Sequence, residues 1–499
     1  MRPAVWALVV LGVLLIFAGL AALAAVIAVK RLQSALEASL GQNPAGTVWE
    51  WLFSLKTRGF RDLNLAMQRA ERGRPAVHPM GSTPYVDWLR DEVGFDPATL
   101  GPWPLAGGEA VDLTTVLGPR AERPLRLALP VLVAPMGYGV ALSAAAKTAL
   151  AQAATLAGTA VVSGEGPYLP EERAYASRWI LQWSRAPWAH QASVVRLADM
   201  VDIQVGQGSE ASVSIHKARS QLPSRARAAL GGPLVIRAGW PDLVAEAVET
   251  IRRVHPGCPV GVKLPATHHL EEDLDVLLEY GIDVVTLDGS QGGSAGSPAV
   301  ITDHFGLDIA LAVHRAHRWL LARHARRNVS LVGSGGVQGA ADVAKLLALG
   351  ADAVAVGSSL LLAMSHEQVA PLLPVRPPTR LVFSAARIHG GPALDVDRAA
   401  EHAAAWFQAS AAELVLLGQA LGVRRIGDLR PWHLVARSQA AAAALGLAYD
   451  AEWSPGNMVA RRVAQLVEHY RTVVASLSRI EAALGRARPR TMAGVRGRS

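Results

Sequence analysis

The stretch VGVKLPATHHLEEDLDVLLEYGIDVVTLDGSQGGSAGSPAV, residues 260–300, together with VSLVGSGGVQGAADVAKLLALGADAVAVGS, residues 329–358, decides how the chain folds. Short runs rich in β-branched residues (VGVKL, DVVTLDG, VSLVGSGG, DAVAVGS) alternate with helix-patterned segments of about a dozen residues. Alternation of that kind specifies βα units on a parallel sheet.

Working outward, eight strand candidates can be marked: Val131 to Ala134, Ala160 to Ser163, Trp179 to Trp183, Asp202 to Val205, Val260 to Leu264, Val284 to Leu287, Val329 to Val332 and Ala353 to Val356. Eight is the number that a closed (β/α)8 TIM barrel requires. Helical periodicity falls between them at Ser143 to Leu156, Asp242 to Val254, Glu271 to Tyr280, Leu307 to His324 and Ala340 to Leu349. In such a barrel the C-terminal strand ends carry the chemistry, and glycine turns after the last two strands hold a phosphate through backbone N–H groups. The longest gap, Gly206 to Leu234, reads as an active-site loop.

The flanking sequence divides the rest. Residues 4–29 carry no charge, and ~20 apolar residues suffice to cross a bilayer as a helix. Residues 1–30 are therefore expected to be a transmembrane anchor. A cleavable signal peptide is the rival, but the run exceeds the usual apolar core of roughly 7–15 residues. Lys30 and Arg31 after the run, against Arg2 before it, favour a single pass through a bacterial inner membrane with the body in the cytoplasm. Residues 31–110 read as a linker and an irregular collar, thick in Pro, Gly and Trp from Pro75 to Pro104. The barrel is expected over 111–395, and 396–499 as a helical extension, with amphipathic segments at Arg398 to Leu421 and Pro455 to Leu484 and a basic tail.

Composition narrows the function. With 499 residues and 51% hydrophobic content the chain can bury one large core. A net charge of +8 invites a nucleic-acid reading, but only six lysines are present and the arginines are dispersed. The basic tail from Arg461 to Arg498 offers one aromatic, Tyr470, and reads as a solvated segment before it reads as a site for an anionic partner or lipid surface. No nucleic-acid partner is expected. Cys258 is the sole cysteine, which excludes an intrachain disulfide and any thiolate-ligated cluster built by this chain alone.

The segments VDLTTVLGPRAERPLRLALPVLVAPMGYGVALS, SGEGPYLPEE, GQG, GVKLPATHHLEEDLD, LDGSQGGSAGSP and GSGGVQGAADVAKLLALGADAVAVGSS resemble, in order and spacing, the FMN-binding domain of glutamate synthase and its single-chain relatives. The resemblance runs over about residues 111–440. It implies a (β/α)8 barrel that binds FMN, adds ammonia to 2-oxoglutarate and reduces the imine to glutamate. It also implies roles for matching residues. Met136 and Gly137 would lie against the flavin ring, beside the turn of Ser163, Gly164 and Glu165. Gln182 and Gln207 would face the pyrimidine edge, the alternative being satisfied core amides. Asp288 and Gly289, with Gly292, Gly293 and Ser294, would cover the ribityl chain and phosphate, and Gly335, Gly336, Gly357 and Ser358 would donate backbone N–H groups to the phosphate.

Lys263 is the strongest single candidate for catalysis. A lysine in an otherwise apolar strand is costly to bury unless an anion meets it, and reduced flavin carries one. The alternative is an ion pair with Asp202 or Asp288. Glu165 would act as acid or base, or hydrogen-bond its own turn; His269, beside His268, would move a proton or cap the next helix.

Four departures from the family pattern stand out. The family's glutamine-hydrolysing domain would present an N-terminal cysteine where this sequence opens on the apolar run, so ammonia is expected to come from elsewhere. The three cysteines that hold the family's iron-sulfur cluster have no counterpart in AMSHEQVAPLLPVRPPTR, so no cluster is expected and an electron-donor protein would stand in. The family's loop lysine is Glu210 here, and the acidic residue before its glycine pair is Gln291. The changed loop leaves open an FMN barrel acting on another 2-oxo or 2-hydroxy acid, or a flavin-binding protein without catalysis. A barrel of the inosinate dehydrogenase type lacks its nucleophilic loop cysteine here.

Overall fold

In a computed structural model of the chain, the eight marked segments close into one parallel barrel. The structure describes residues 87–368 except 187, 189, 209, 211–214, 218–221, 231–233, 237–240 and 294–296, together with 379–384, 393–450 and scattered positions between 19 and 76. The barrel strands are β1 (Val131–Val133), β2 (Val161–Val162), β3 (Trp179–Trp183), β4 (Met200–Gln204), β5 (Val260–Pro265), β6 (Val284–Asp288), β7 (Ser330–Ser334) and β8 (Ala353–Val356). Each pairs in parallel with its sequence neighbours, and β8 closes on β1 through Val354↔Val131.

The helices follow the same alternation: α1 (Ala144–Leu156), α2 (Pro170–Tyr175), α3 (Ala192–Val195), α4 (Pro241–Val254), α5 (Leu270–Glu279), α6 (Ile309–Ala322), α7 (Ala340–Leu349) and α8 (Ser358–Met364). Ser143 caps α1 by accepting from Ala146 N, and Asp308 caps α6 by accepting from Ala310 N. A longer helix, α9 (Val396–Leu421), buries Ala399, Ala400, Ala403, Phe407 and Leu414 at helical spacing and packs on α1 and α8. It ends at Gly422, whose φ of 72° is the left-handed conformation that closes a helix.

Successive strand residues point alternately in and out. Leu132, Ile180, Met200, Val284, Val332 and Ala355 fill the barrel's interior. The antiparallel pair Thr115–Leu117 and Leu125–Leu127 plugs the N-terminal end, with Gly118 N donating to Ser330 Oγ at 3.1 Å and Thr115 Oγ1 to Asp352 O at 2.9 Å. Chemistry is left to the opposite end.

Two expectations are corrected. The collar is more than an irregular run: Trp88–Glu92 forms a π-helical turn, and Val93–Phe95 pairs antiparallel with Leu434–Ala436. A three-residue strand has no room to show alternation, so the pairing was hidden in the sequence. The gap Gly206 to Leu234 holds regular structure, with Ile215–Lys217 pairing antiparallel to Leu234–Ile236 around a short helix, Ser224–Ala228.

The first unit, Met1–Val77, shows helical stretches at 26–31 and 64–71. The expected membrane segment 4–29 lies mostly outside the described residues, and among the described residues no helix is long and apolar enough to cross a membrane. The expected helix at Pro455 to Leu484 and the basic tail also lie outside the described residues.

Candidate active site

The C-terminal strand ends are floored by backbone. The turns after β1 and β2 touch directly: a Cβ on Gly164 would stand 2.3 Å from Gly137 N, and one on Gly137 2.7 Å from Gly166 N. Met136 sits beside this contact, with its Sδ 3.8 Å from where a Cβ on Gly357 would be. Ser163, at the same end, accepts from Gln182 N at 2.9 Å through its hydroxyl and so ties β2 to β3.

The turns after β6 and β7 interlock in the same way. Gly289 N donates to Ser334 O and Gly292 N to Gly289 O, each at 2.8 Å. A Cβ on Gly335 would stand 2.9 Å from Gly292 N, and Gly335 and Gly336 have φ of 107° and 73°. No acceptor among the described residues meets the N–H groups of Gly335, Gly336 or Val337, which lead into α7. Gly293 is exposed beside this turn, and Ser294 lies outside the described residues. Gly357 precedes α8, which Ser358 opens; a side chain there would meet only ordinary contacts.

Between these turns, polar side chains rise from β3 to β6. Lys263 is 2% exposed, and its Nζ lies 3.0 Å from Asp288 Oδ2. The anion that meets the lysine is thus Asp288, one of the two partners that the sequence left open. Asp288 also accepts from Gly208 N at 3.2 Å, so it anchors the β4 turn to β6. The residue expected beside a ribityl chain and phosphate thus also pairs with the lysine.

Gln182 on β3 and Gln204 on β4 are buried, and among the described residues Gln182 Nε2 and Gln204 Oε1 find no hydrogen-bond partner. Gln204 Nε2 reaches Gln207 Oε1 at 3.5 Å. Gln204 was missed in the sequence because one polar residue inside a strand gives no signal of which way it faces. Arg185, just past β3, was missed as well. Its Nη2 lies 3.3 Å from Glu165 Oε1 and 3.8 Å from Glu210 Oε2, while its buried Nε and Nη1 meet no partner among the described residues. Glu165 is accordingly an ion-pair member, and its backbone oxygen accepts from Trp188 Nε1 at 3.0 Å. His269 stands apart from this cluster. Its side chain is 76% exposed at the start of α5, 3.6 Å from Glu272 Oε2.

These features suit a flat ring with N–H and C=O groups on one edge and a phosphate at its far end: a buried donor and acceptor wait on adjacent strands, and unpaired N–H groups wait on a glycine turn.

Comparison with known proteins agrees with the motifs. The conserved region in glutamate synthase matches residues 109–370. The chain belongs to the glutamate synthase family. A glutamate synthase large subunit-like protein of Rhizobium meliloti is 32% identical over 286 residues, covering 55% of this chain and 64% of that protein. An archaeal-type glutamate synthase [NADPH] of Thermotoga neapolitana is 30% identical over 266 residues, 51% of each. The chain therefore spans between half and two thirds of the length of these relatives. Among solved structures, a mandelate oxidase mutant overlays with a TM-score of 0.45 at 18% identity, over 74% of this chain and 99% of that one.

Within this glutamate synthase family barrel, Asp202 is the most perturbed group of the polar layer. Burial pushes its carboxyl up to about 7, against the pull of the Lys263 charge and a Thr286 hydrogen bond. Among the described residues its Oδ1 has no partner, and the residue lines a small cavity on the barrel axis with Met200, Ile180 and Thr286. Because the folded pKa lies above the unfolded value of 3.8, folding takes up a proton between those values. Stability is then lost as pH rises from 3.8 to about 7. The prediction is that Asp202→Asn stabilises the protein at pH 8, by on the order of 4 kcal/mol at most. The gain should vanish toward pH 4. Urea midpoints at pH 4, 6 and 8 measure it, and parallel curves for wild type and variant would refute it.

Proposed function

We propose that the barrel is an FMN-dependent oxidoreductase of the glutamate synthase type, which aminates a 2-oxo acid with ammonia and electrons supplied from outside the chain. The observation that carries this reading is the unpartnered pair Gln182 Nε2 and Gln204 Oε1, buried on adjacent strands above the polar layer. When bound, FMN supplies hydride transfer to the substrate carbon. Gln182 donates to a carbonyl of the ring edge and Gln204 accepts from its N–H. The N–H groups of Gly335, Gly336 and Val337 receive the phosphate. Lys263 brings positive charge to the edge that becomes electron-rich, and Asp288 holds it in place at 3.0 Å. Arg185 offers its Nε and Nη1 to a substrate carboxylate.

A second reading, a different 2-oxo or 2-hydroxy acid as substrate, is favoured by Glu210. It stands where the family's loop has lysine, is buried, and lies 3.8 Å from Arg185 Nη2. A screen of such acids against the reduced protein separates the two readings.

The uncharged run 4–29 further leads us to propose that the barrel is held at the cytoplasmic face of a membrane. The full chain should stay with the membrane pellet after a carbonate wash, and recovery in the supernatant would exclude an anchor.

The central test is a dye-coupled reductive titration. Lys263→Met leaves Asp288 without its partner, so the local charge falls by one and the anionic reduced form is disfavoured. The two-electron potential should drop by tens of millivolts, at ~30 mV per 1.4 kcal/mol. The double variant Lys263→Met with Asp288→Asn should recover part of the loss. The same preparation should hold no acid-labile sulfide, since Cys258 is the sole cysteine. Wild-type protein that takes up no FMN would refute the cofactor; equal potentials would leave the lysine a structural role.

A further inference from the structure

The collar reaches the same turns that the proposed cofactor needs. Arg90, in the π-helical turn Trp88–Glu92, donates through Nη2 to Gly336 O and, at 3.1 Å, to Asp342 Oδ2. Its Nη1 pairs with Asp87. Asp342, in the first turn of α7, also accepts from Gln338 N at 2.8 Å. One guanidinium therefore holds both ends of the segment that links β7 to α7.

The same collar segment is tied to the β6 turn. Trp88 N donates to Asp308 Oδ2 at 3.4 Å, and Gln291 Nε2 donates to that same oxygen. Gln291 Oε1 in turn accepts from Ile309 N at 3.2 Å, and a Cβ on Gly336 would stand 2.8 Å from Gln291 Cβ. Lys345 Nζ donates to Leu89 O and Arg437 Nη1 to Arg90 O, so the collar is itself fixed from two further elements.

The orientation of one peptide explains why this matters. In a trans peptide the carbonyl and the following N–H point in opposite directions. A guanidinium that holds Gly336 O therefore directs the Val337 N–H away from the collar. Two consecutive glycines at positive φ have the most backbone freedom to lose, and ordering them before a ligand arrives removes that cost from binding.

We propose that the segment Asp87–Glu92 is a clamp on the phosphate-binding turn, with Arg90 as the positioning residue for the cofactor's phosphate. The proposal rests on the FMN reading above. Arg90 acts through Gly336 and Asp342, so it sets the affinity for the phosphate end and leaves the ring end alone.

Riboflavin, which has the ring and no phosphate, provides the control. Dissociation constants of FMN and riboflavin would be measured by quenching of flavin fluorescence with full-length apoprotein: wild type, Arg90→Gln and Arg90→Lys. Losing a charge-assisted contact to the turn should weaken FMN by about 10- to 100-fold in Arg90→Gln. Riboflavin should bind all three alike, and Arg90→Lys should fall between the other two for FMN. Thermal melting of each apoprotein shows whether it is folded, and Arg90→Lys carries the comparison if Arg90→Gln is not. FMN affinity that is unchanged in the variants would overturn the clamp, as would a loss shared equally by FMN and riboflavin. Wild-type protein that binds riboflavin and FMN equally would overturn it too. Wild-type protein that binds neither flavin would instead remove the FMN reading, and the clamp with it.

Discussion

Direct contact between backbone and backbone at the C-terminal strand ends is the constraint on which the candidate site depends. The β1 and β2 turns meet at Gly137 and Gly164, and the β6 and β7 turns at Gly292 and Gly335, at separations that leave no space for a Cβ. Gly208 and Gly289 repeat the arrangement between the β4 and β6 turns, where a Cβ on Gly208 would stand 1.8 Å from Gly289 O. Any side chain at these points would push the turns apart by displacing main chain, which cannot yield as a flexible side chain can. The result is a mouth whose rim presents N–H groups and whose specificity is left to the few side chains rising from β3 to β6.

Those side chains are mostly charged or amide groups without access to water, and their pairing decides what they can do. Breaking a buried ion pair by removing one member typically costs 3–5 kcal/mol, because the other charge is stranded. Lys263 and Asp288 satisfy each other, whereas Arg185 shares one nitrogen between Glu165 and Glu210 and, among the described residues, keeps Nε and Nη1 unpartnered. A group already satisfied tunes its neighbours; a group with spare donors is able to hold a ligand. That distinction separates the electrostatic part given to Lys263 from the binding part given to Arg185.

The barrel was legible in the sequence because each strand is bounded by glycine or turn residues and each helix has its own period. All eight strand candidates appear, and α7 spans Ala340–Leu349 as its pattern marks it. Side-chain partners were less legible, since register alone decides them. Lys263 pairs across β4 with Gln204, and Gly261 with Asp202, so Asp202 lies one inward layer below the lysine. Asp288, opposite Pro265, lies one layer above and is the residue that reaches Nζ. Nothing local in the sequence distinguishes those two aspartates. The collar was hidden for a different reason: Arg90 stands 246 residues before Gly336, and such a contact leaves no periodic trace. His269 illustrates the converse, a motif match whose side chain the fold leaves at the surface.

The most direct test of a backbone-lined flavin site is a crystal structure of the protein grown with FMN. The expected difference density has a phosphate against the N–H groups of Gly335, Gly336 and Val337, with the ring edge facing Gln182 and Gln204. Density for FMN elsewhere on the molecule, or a mouth that stays empty at saturating FMN, would contradict it.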